Sequence, residues 1–225
     1  MVTVNSLIKS LKFPIRTLIG VCAILFSVIA VILLIDRAVI IGSPWHIVAF
    51  SIYGLSLITL WTMSTLYHSL NVSVSANRTL EQIDHAMIYF LIAGTYTPIC
   101  LIVLKGGWGW SIFDVNWALA ITGIVLKLVC RNPSQWLIAI FFSFYILMGW
   151  LCVIAWVPLT HSLPHEGLCW LIAGGVFYTV GSIVFNLRHY PFHPRFGAHE
   201  IWHLFVLAGS FCHFWMMYKY VVYLR

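Results

Sequence analysis

Seven apolar stretches of about 17 to 24 residues, at about residues 17–35, 46–69, 82–104, 114–130, 135–156, 167–186 and 199–222, limit this fold more than any other feature. A run of roughly 20 apolar residues crosses the hydrocarbon core as an α-helix. Water is absent there, so the backbone must satisfy its own hydrogen bonds within the span. Turn signals fall between the runs: Gly42-Ser43-Pro44, Ser75-Ala76-Asn77, Gly106-Gly107, Asn132-Pro133, Leu163-Pro164, and Pro191 with Pro194. The expectation is an all-α polytopic membrane protein, a seven-transmembrane helix bundle occupying residues 1–225 as one domain. Only 8% of the residues are charged and 62% are hydrophobic, whereas a soluble domain carries roughly a quarter charged residues.

The first run follows Lys9, Lys12 and Arg16 in the manner of a secretory leader. It is longer than the roughly 7–15 residues of a leader's apolar region and runs into Asp36-Arg37 rather than a small-residue cleavage site, so it reads as a retained span. With the N-terminus in the cytoplasm, the inner side holds Lys9, Lys12, Arg16, Arg78, Lys127, Arg131, Arg188 and Arg195. The outer side then holds only Arg37, Lys105, Lys219 and Arg225. This bias places the N-terminus inside and the C-terminus outside. Because the basic residues are dispersed among loops, the net charge of +6 argues for orientation and not for nucleic acid. The six cysteines stand singly in or beside apolar runs, which points to neither a disulfide framework nor a Cys-type zinc site.

Ten histidines are many for so apolar a chain, and three pairs have the spacing H-x-x-x-H. On a helix this spacing puts two imidazoles on one face, near enough to share an ion. His161/His165 and His189/His193 each enclose a proline, which breaks the geometry. His199 and His203 open an uninterrupted apolar helix. Their segment, His199-Glu200-Ile201-Trp202-His203, fits the H-E-x-x-H pattern of zinc proteases. Such enzymes need a third ligand, usually from downstream, and no acidic residue follows His203. His213 lies about 15 Å further along the same helix. The protease reading is therefore weak, and Glu200 reads as a carboxylate favouring the positive end of its helix.

Span two ends in Ser64-Thr65-Leu66-Tyr67-His68, which puts Ser64 and His68 one turn apart on one face. Thr79-Leu80-Glu81-Gln82 fits a capping box that would start span three near Asp84. The end of span two and the starts of spans three and seven lie on one side of the membrane. Ser64, His68, Asp84, His199 and His203 thus share one interfacial layer, cytoplasmic by the charge bias. An ionisable group set into a span is a functional-site candidate.

At these residues the chain resembles the hemolysin III family, the bacterial branch of the superfamily of adiponectin and progestin membrane receptors, with alkaline ceramidases as distant relatives. The matching pieces are Ser64–His68 (STLYH), Asp84–Pro98 (DHAMIYFLIAGTYTP), Met148–Trp150 (MGW), Gly174–Gly181 (GGVFYTVG) and His199–Phe214 (HEIWHLFVLAGSFCHF). The resemblance implies a zinc ion near the cytoplasmic face with His68, His199 and His203 as ligands, and Asp84 hydrogen-bonded to a water on the metal with Ser64 beside it. It also implies a lipid-sized cavity among the helices and residence in a bacterial inner membrane. The acidic-Asn-His-Gly stretch that leads many relatives into span one is absent from "VNSLIKSLKFPIRTLIG".

Three protein ligands leave a fourth zinc position for water, as catalytic sites do. The expectation is hydrolysis of a lipid amide or ester, with Asp84 as base and Ser64 supporting the oxyanion. The alternative is a non-enzymatic receptor or regulator that binds a lipid and uses zinc as a staple. A pore ranks last, because no ring of polar residues is visible to line one. Structural expectations are a kink at Gly94–Pro98 relieved by Thr95 or Thr97, and close packing at Gly174, Gly175 and Gly181. Trp108, Trp110, Trp156, Tyr218 and Tyr223 form an outer aromatic belt. The loop Arg188–Arg195 stands as a gate or a source of His193.

Overall fold

The structure is a computed structural model that describes residues 12–41, 43–130, 132–186 and 196–224. The expectations for the segment before Lys12 and for the Arg188–Arg195 loop lie outside the described residues. Eight α-helices follow in order: α1 (Pro14–Ile41), α2 (Pro44–Ser69), α3 (Val74–Pro98), α4 (Gly106–Val129), α5 (Gln135–Trp150), α6 (Trp156–Ser162), α7 (His165–Asn186) and α8 (Ala198–Lys219). Seven are long and apolar enough to cross a membrane, and no strand occurs among the described residues. The short α6, after a 3-10 turn at Leu151–Val153, was not expected from the sequence.

Helix α1 shows why the spans associate. Its buried residues, Thr17, Gly20, Ala23, Ser27, Ala30, Leu34 and Ala38, recur every three or four positions and are nearly all small. That stripe lets backbones approach closely, which matters where lipid supplies no hydrophobic drive between helices. A Cβ on Gly54 of α2 would strike Val31 of α1, and one on Gly20 would strike Thr65. Leu18, Leu25, Ile29 and Ile32 face outward on the other side of α1, as lipid contact requires. Helix α2 packs on α1 and α3, α3 on α4, α7 on α8, and α8 returns to α1; α5 touches α3, α4 and α7 lightly. Trp61, Tyr53, Phe50 and Leu57 of α2 fill the centre.

Several boundaries correct the sequence reading. Helix α3 starts at Val74, not near Thr79: Ser73 is the N-cap, its hydroxyl accepting from the Ala76 N–H at 3.2 Å. Thr79 is already helical and bonds the Ser75 carbonyl four residues back. A serine cap six residues upstream starts the helix earlier, because the intervening Val74–Arg78 has no helix breaker. Helix α4 starts at Gly106 rather than 114, since Lys105 and Gly106 at φ 48 and 49 turn the chain sharply there. Glu81 and Asp114 consequently lie about two turns inside their helices.

At Pro98 the missing N–H frees the carbonyl of Gly94, and α3 continues as a π-helix over Ile99–Leu104. Thr95 and Thr97 do not relieve it. Their hydroxyls donate to Leu91 O at 2.8 Å and Ala93 O at 2.9 Å, because a helical threonine reaches its own i−4 carbonyl. Of the span-six glycines, Gly174 packs under His213 and Gly181 under Phe205, but Gly175 faces open space. Trp108, Trp110, Trp156 and Tyr223 are exposed as a belt requires; Tyr218 is half-buried and accepts from Arg37 Nη2 at 3.3 Å.

Candidate metal centre

Three histidines meet where α2 ends and α8 begins. His68 sits in the last turn of α2 with no exposure, and His199 and His203 occupy the first two turns of α8. Ring centroids lie 4.8 Å apart for His68–His199, 5.0 Å for His68–His203 and 4.9 Å for His199–His203, a nearly equilateral set. One ring nitrogen from each falls within 4.8 Å of the other two. The start of α8 is fixed from two directions. The Glu200 carboxylate accepts the Gly197 N–H at 2.9 Å and Arg16 Nε of α1 at 2.7 Å. The chain before α1 is tied to the end of α2, where Phe13 N donates to the His68 carbonyl at 3.0 Å.

Imidazole nitrogens here lack hydrogen-bond partners. Neither nitrogen of His68 is hydrogen-bonded, nor is Nδ1 of His203, and all three atoms are buried. Unpaired buried groups of this kind cost about 1–3 kcal/mol each. A fold does not gather several at one point without a ligand to satisfy them. Neutral imidazole suits zinc and other transition ions. Zn–N bonds of about 2.0–2.1 Å put tetrahedral nitrogens about 3.3 Å apart. Side-chain adjustments of the order of an ångström close that gap, so the three residues fit a metal ion.

Asp84 stands ten residues into α3, not near its start, about 15 Å along the axis. It is buried, and its Oδ2 lies 4.0 Å from His68 Nε2, too long for a hydrogen bond. The buried Ser64 hydroxyl lies beside the same carboxyl. All five residues singled out in the sequence therefore meet at one place. Around them stand the aromatic rings of Phe13 and Tyr67 against His68, Phe185 against His199 and Trp61 against His203. Lys12 and Arg16 lie over the Tyr67 and Phe13 rings at 4.3 Å each. This shell limits water at the site and keeps the cations at its edge.

An apolar cavity of about 220 Å³ runs from the histidines into the bundle between α2, α3, α5, α7 and α8. Ser64, Asp84, His199 and His203 form one end of it; Leu91, Ile92, Leu171 and Val206 contribute to its walls. Sequence reasoning missed two participants. Trp61 lines the cavity beside His203, and its position seven residues before His68, on the same face, was the available signal. Arg16 counted only as an orienting charge, and nothing in the sequence pairs it with a residue 184 positions away.

Residues 14–214 match the family model described as Haemolysin-III related. Hemolysin-3 of Bacillus cereus is 42% identical over 205 residues, covering 90% of this chain and 88% of that protein. The Hemolysin-3 homolog of Bacillus subtilis (strain 168) is 42% identical over 199 residues, covering 88% of this chain and 89% of its own. Human Monocyte to macrophage differentiation factor is 29% identical over 182 residues, covering 79% and 72%.

Proposed function

The chain belongs to the haemolysin-III-related family, and from that premise we propose that this integral multi-pass membrane protein is a zinc-dependent hydrolase of a lipid amide or ester. The observation that carries the reading is the cluster of unpartnered imidazoles, with a buried carboxyl beside it, at the head of an apolar cavity. A purely structural layer of histidines would bond its neighbours; this one faces a space suited to an acyl chain.

His68, His199 and His203 would hold the metal. When bound, zinc supplies a Lewis acid for the acyl carbonyl and an acidified water. The cavity walls orient the acyl chain so that its carbonyl lies at the histidine end. Asp84 accepts a proton from the attacking water and returns it to the departing amine or alkoxide. The acyl carbon gains the water oxygen, the C–N or C–O bond breaks, and a free fatty acid remains. Ser64 donates its hydroxyl to the oxyanion that develops. The aromatic shell excludes bulk water, which strengthens both interactions. By the charge bias the site opens toward the cytoplasmic face of a bacterial inner membrane.

A second reading has its own observation. The metal residues join the end of α2 to the start of α8, two helices that meet sparsely elsewhere. A staple there would suit a receptor or regulator that binds the lipid without turnover. The test is metal content and fatty-acid release from lipid amides and esters for the wild type and Asp84→Asn. Zinc near one per chain in both, with release lower by about 10²–10⁴-fold in the variant, is the expected result. Zinc without release in the wild type leaves the staple. A folded protein that binds no metal overturns both.

A further inference from the structure

The inward stripe of α8 runs His199, His203, Val206, Ser210, His213, and its far end carries a second polar site. His213 lines the cavity about 15 Å along the helix from His203. It is 5% exposed, and its buried Nδ1 has no hydrogen-bond partner. The ring is nevertheless held in place. Tyr178 packs against one side at 5.4 Å, and Gly174 of α7 lies under Nε2, where a Cβ would come within 2.5 Å. Tyr178 is itself fixed, its hydroxyl sharing a hydrogen bond with Ser210 Oγ at 3.0 Å. Tyr53 of α2 donates to the Ser210 carbonyl at 3.3 Å. Those contacts use the tyrosine and serine groups on each other and leave the imidazole unspent. The neighbouring Gly175, which also lines the cavity, faces open space.

A histidine outside the metal cluster, nine-tenths buried and locked between a tyrosine and a glycine, is costly without a partner. Tyr178 and Gly174 of α7 fix its position from two sides, which a gap-filling residue would not require. Between the two polar ends the cavity wall is apolar, with Val206 and Leu91 among its residues. The ligand that satisfies both ends has a polar head, an apolar stretch and a second hydrogen-bonding group. A neutral imidazole offers one donor and one acceptor, which a hydroxyl can meet in either direction.

We propose that His213 is a positioning residue that hydrogen-bonds a hydroxyl carried at mid-chain by the lipid, so that the cavity selects hydroxylated acyl chains over plain hydrocarbon ones. This rests on the lipid-cavity reading above and not on turnover. The selectivity expected from one net hydrogen bond is about tenfold. Its test is equilibrium binding of stearate and of a stearate hydroxylated at mid-chain to the zinc-loaded, full-length protein in nanodiscs. Wild type, His213→Leu and His213→Gln are compared, with zinc content measured in each. The wild type favours the hydroxylated chain about tenfold, His213→Leu binds both alike, and His213→Gln, which keeps a donor and an acceptor, recovers part of the preference. All three retain zinc. Equal binding by the wild type, or a preference that survives in His213→Leu, overturns the proposal. Failure of either acid to bind overturns it together with the lipid reading. Preserved selectivity in a protein that releases no fatty acid removes only the hydrolase.

Discussion

Replacing His68 by alanine separates the fold's need for this residue from the metal's. In the metal-free protein two terms oppose. Truncating a fully buried ring leaves a cavity, which costs up to a few kcal/mol. Removing two buried, unpartnered nitrogens returns about 1–3 kcal/mol each, so the metal-free variant melts close to the wild type. Zinc changes the comparison. Structural zinc sites bind with about 10–16 kcal/mol through four ligands, or roughly 3 kcal/mol for each. Losing one of three imidazoles therefore weakens affinity about 100-fold or more. At free zinc 100 times the wild-type Kd, binding stabilises the wild type by about 2.7 kcal/mol. The variant, at a concentration near its own Kd, gains only about 0.4 kcal/mol. The assay is thermal unfolding in detergent, followed by size-exclusion chromatography in buffers of fixed free zinc. An equal zinc-induced rise in both proteins would refute the three-histidine site, because His68 would then contribute no ligand. A metal-free variant that does not fold would refute the cancellation of terms.

Two further outcomes follow from the same geometry. Protons compete with the metal for the imidazole nitrogens, so zinc is held at neutral pH and lost in acid, well below the ordinary imidazole pKa of about 6.5 because bound metal favours the neutral ring. Retention measured after equilibration at stepped pH shows this, and zinc held unchanged down to strong acid would exclude an all-histidine ligand set. Breaking the Arg16–Glu200 pair, whose side chains are 20% and 8% exposed, costs about 1–2 kcal/mol after allowance for its partial exposure. A double-mutant cycle with Arg16→Gln and Glu200→Gln shows non-additive stability, and additive single effects would mean the pair is incidental.

The sequence by itself determined the seven spans, because hydrocarbon solvent forces every backbone group to bond within its helix and apolar run length reports that directly. It also determined that His68, Asp84, His199 and His203 share one side of the membrane, since alternate span ends must lie together. The H-x-x-x-H spacing at His199 is local and legible for the same reason that a helix is. Boundaries were less secure: Ser73 and Thr79 are both good caps, and only the competition between them in the folded helix decides. The sequence could not fix the separations within the layer, which depend on side-chain packing between helices far apart in the chain. Tertiary structure alone brought His68 Nε2 and Asp84 Oδ2 to 4.0 Å and paired Arg16 with Glu200 across 184 positions. It also left His213 without a partner at the far end of the cavity. Interhelical contacts follow from small-residue stripes and the volumes they leave, and those are set jointly by helices whose sequences carry no signal of one another.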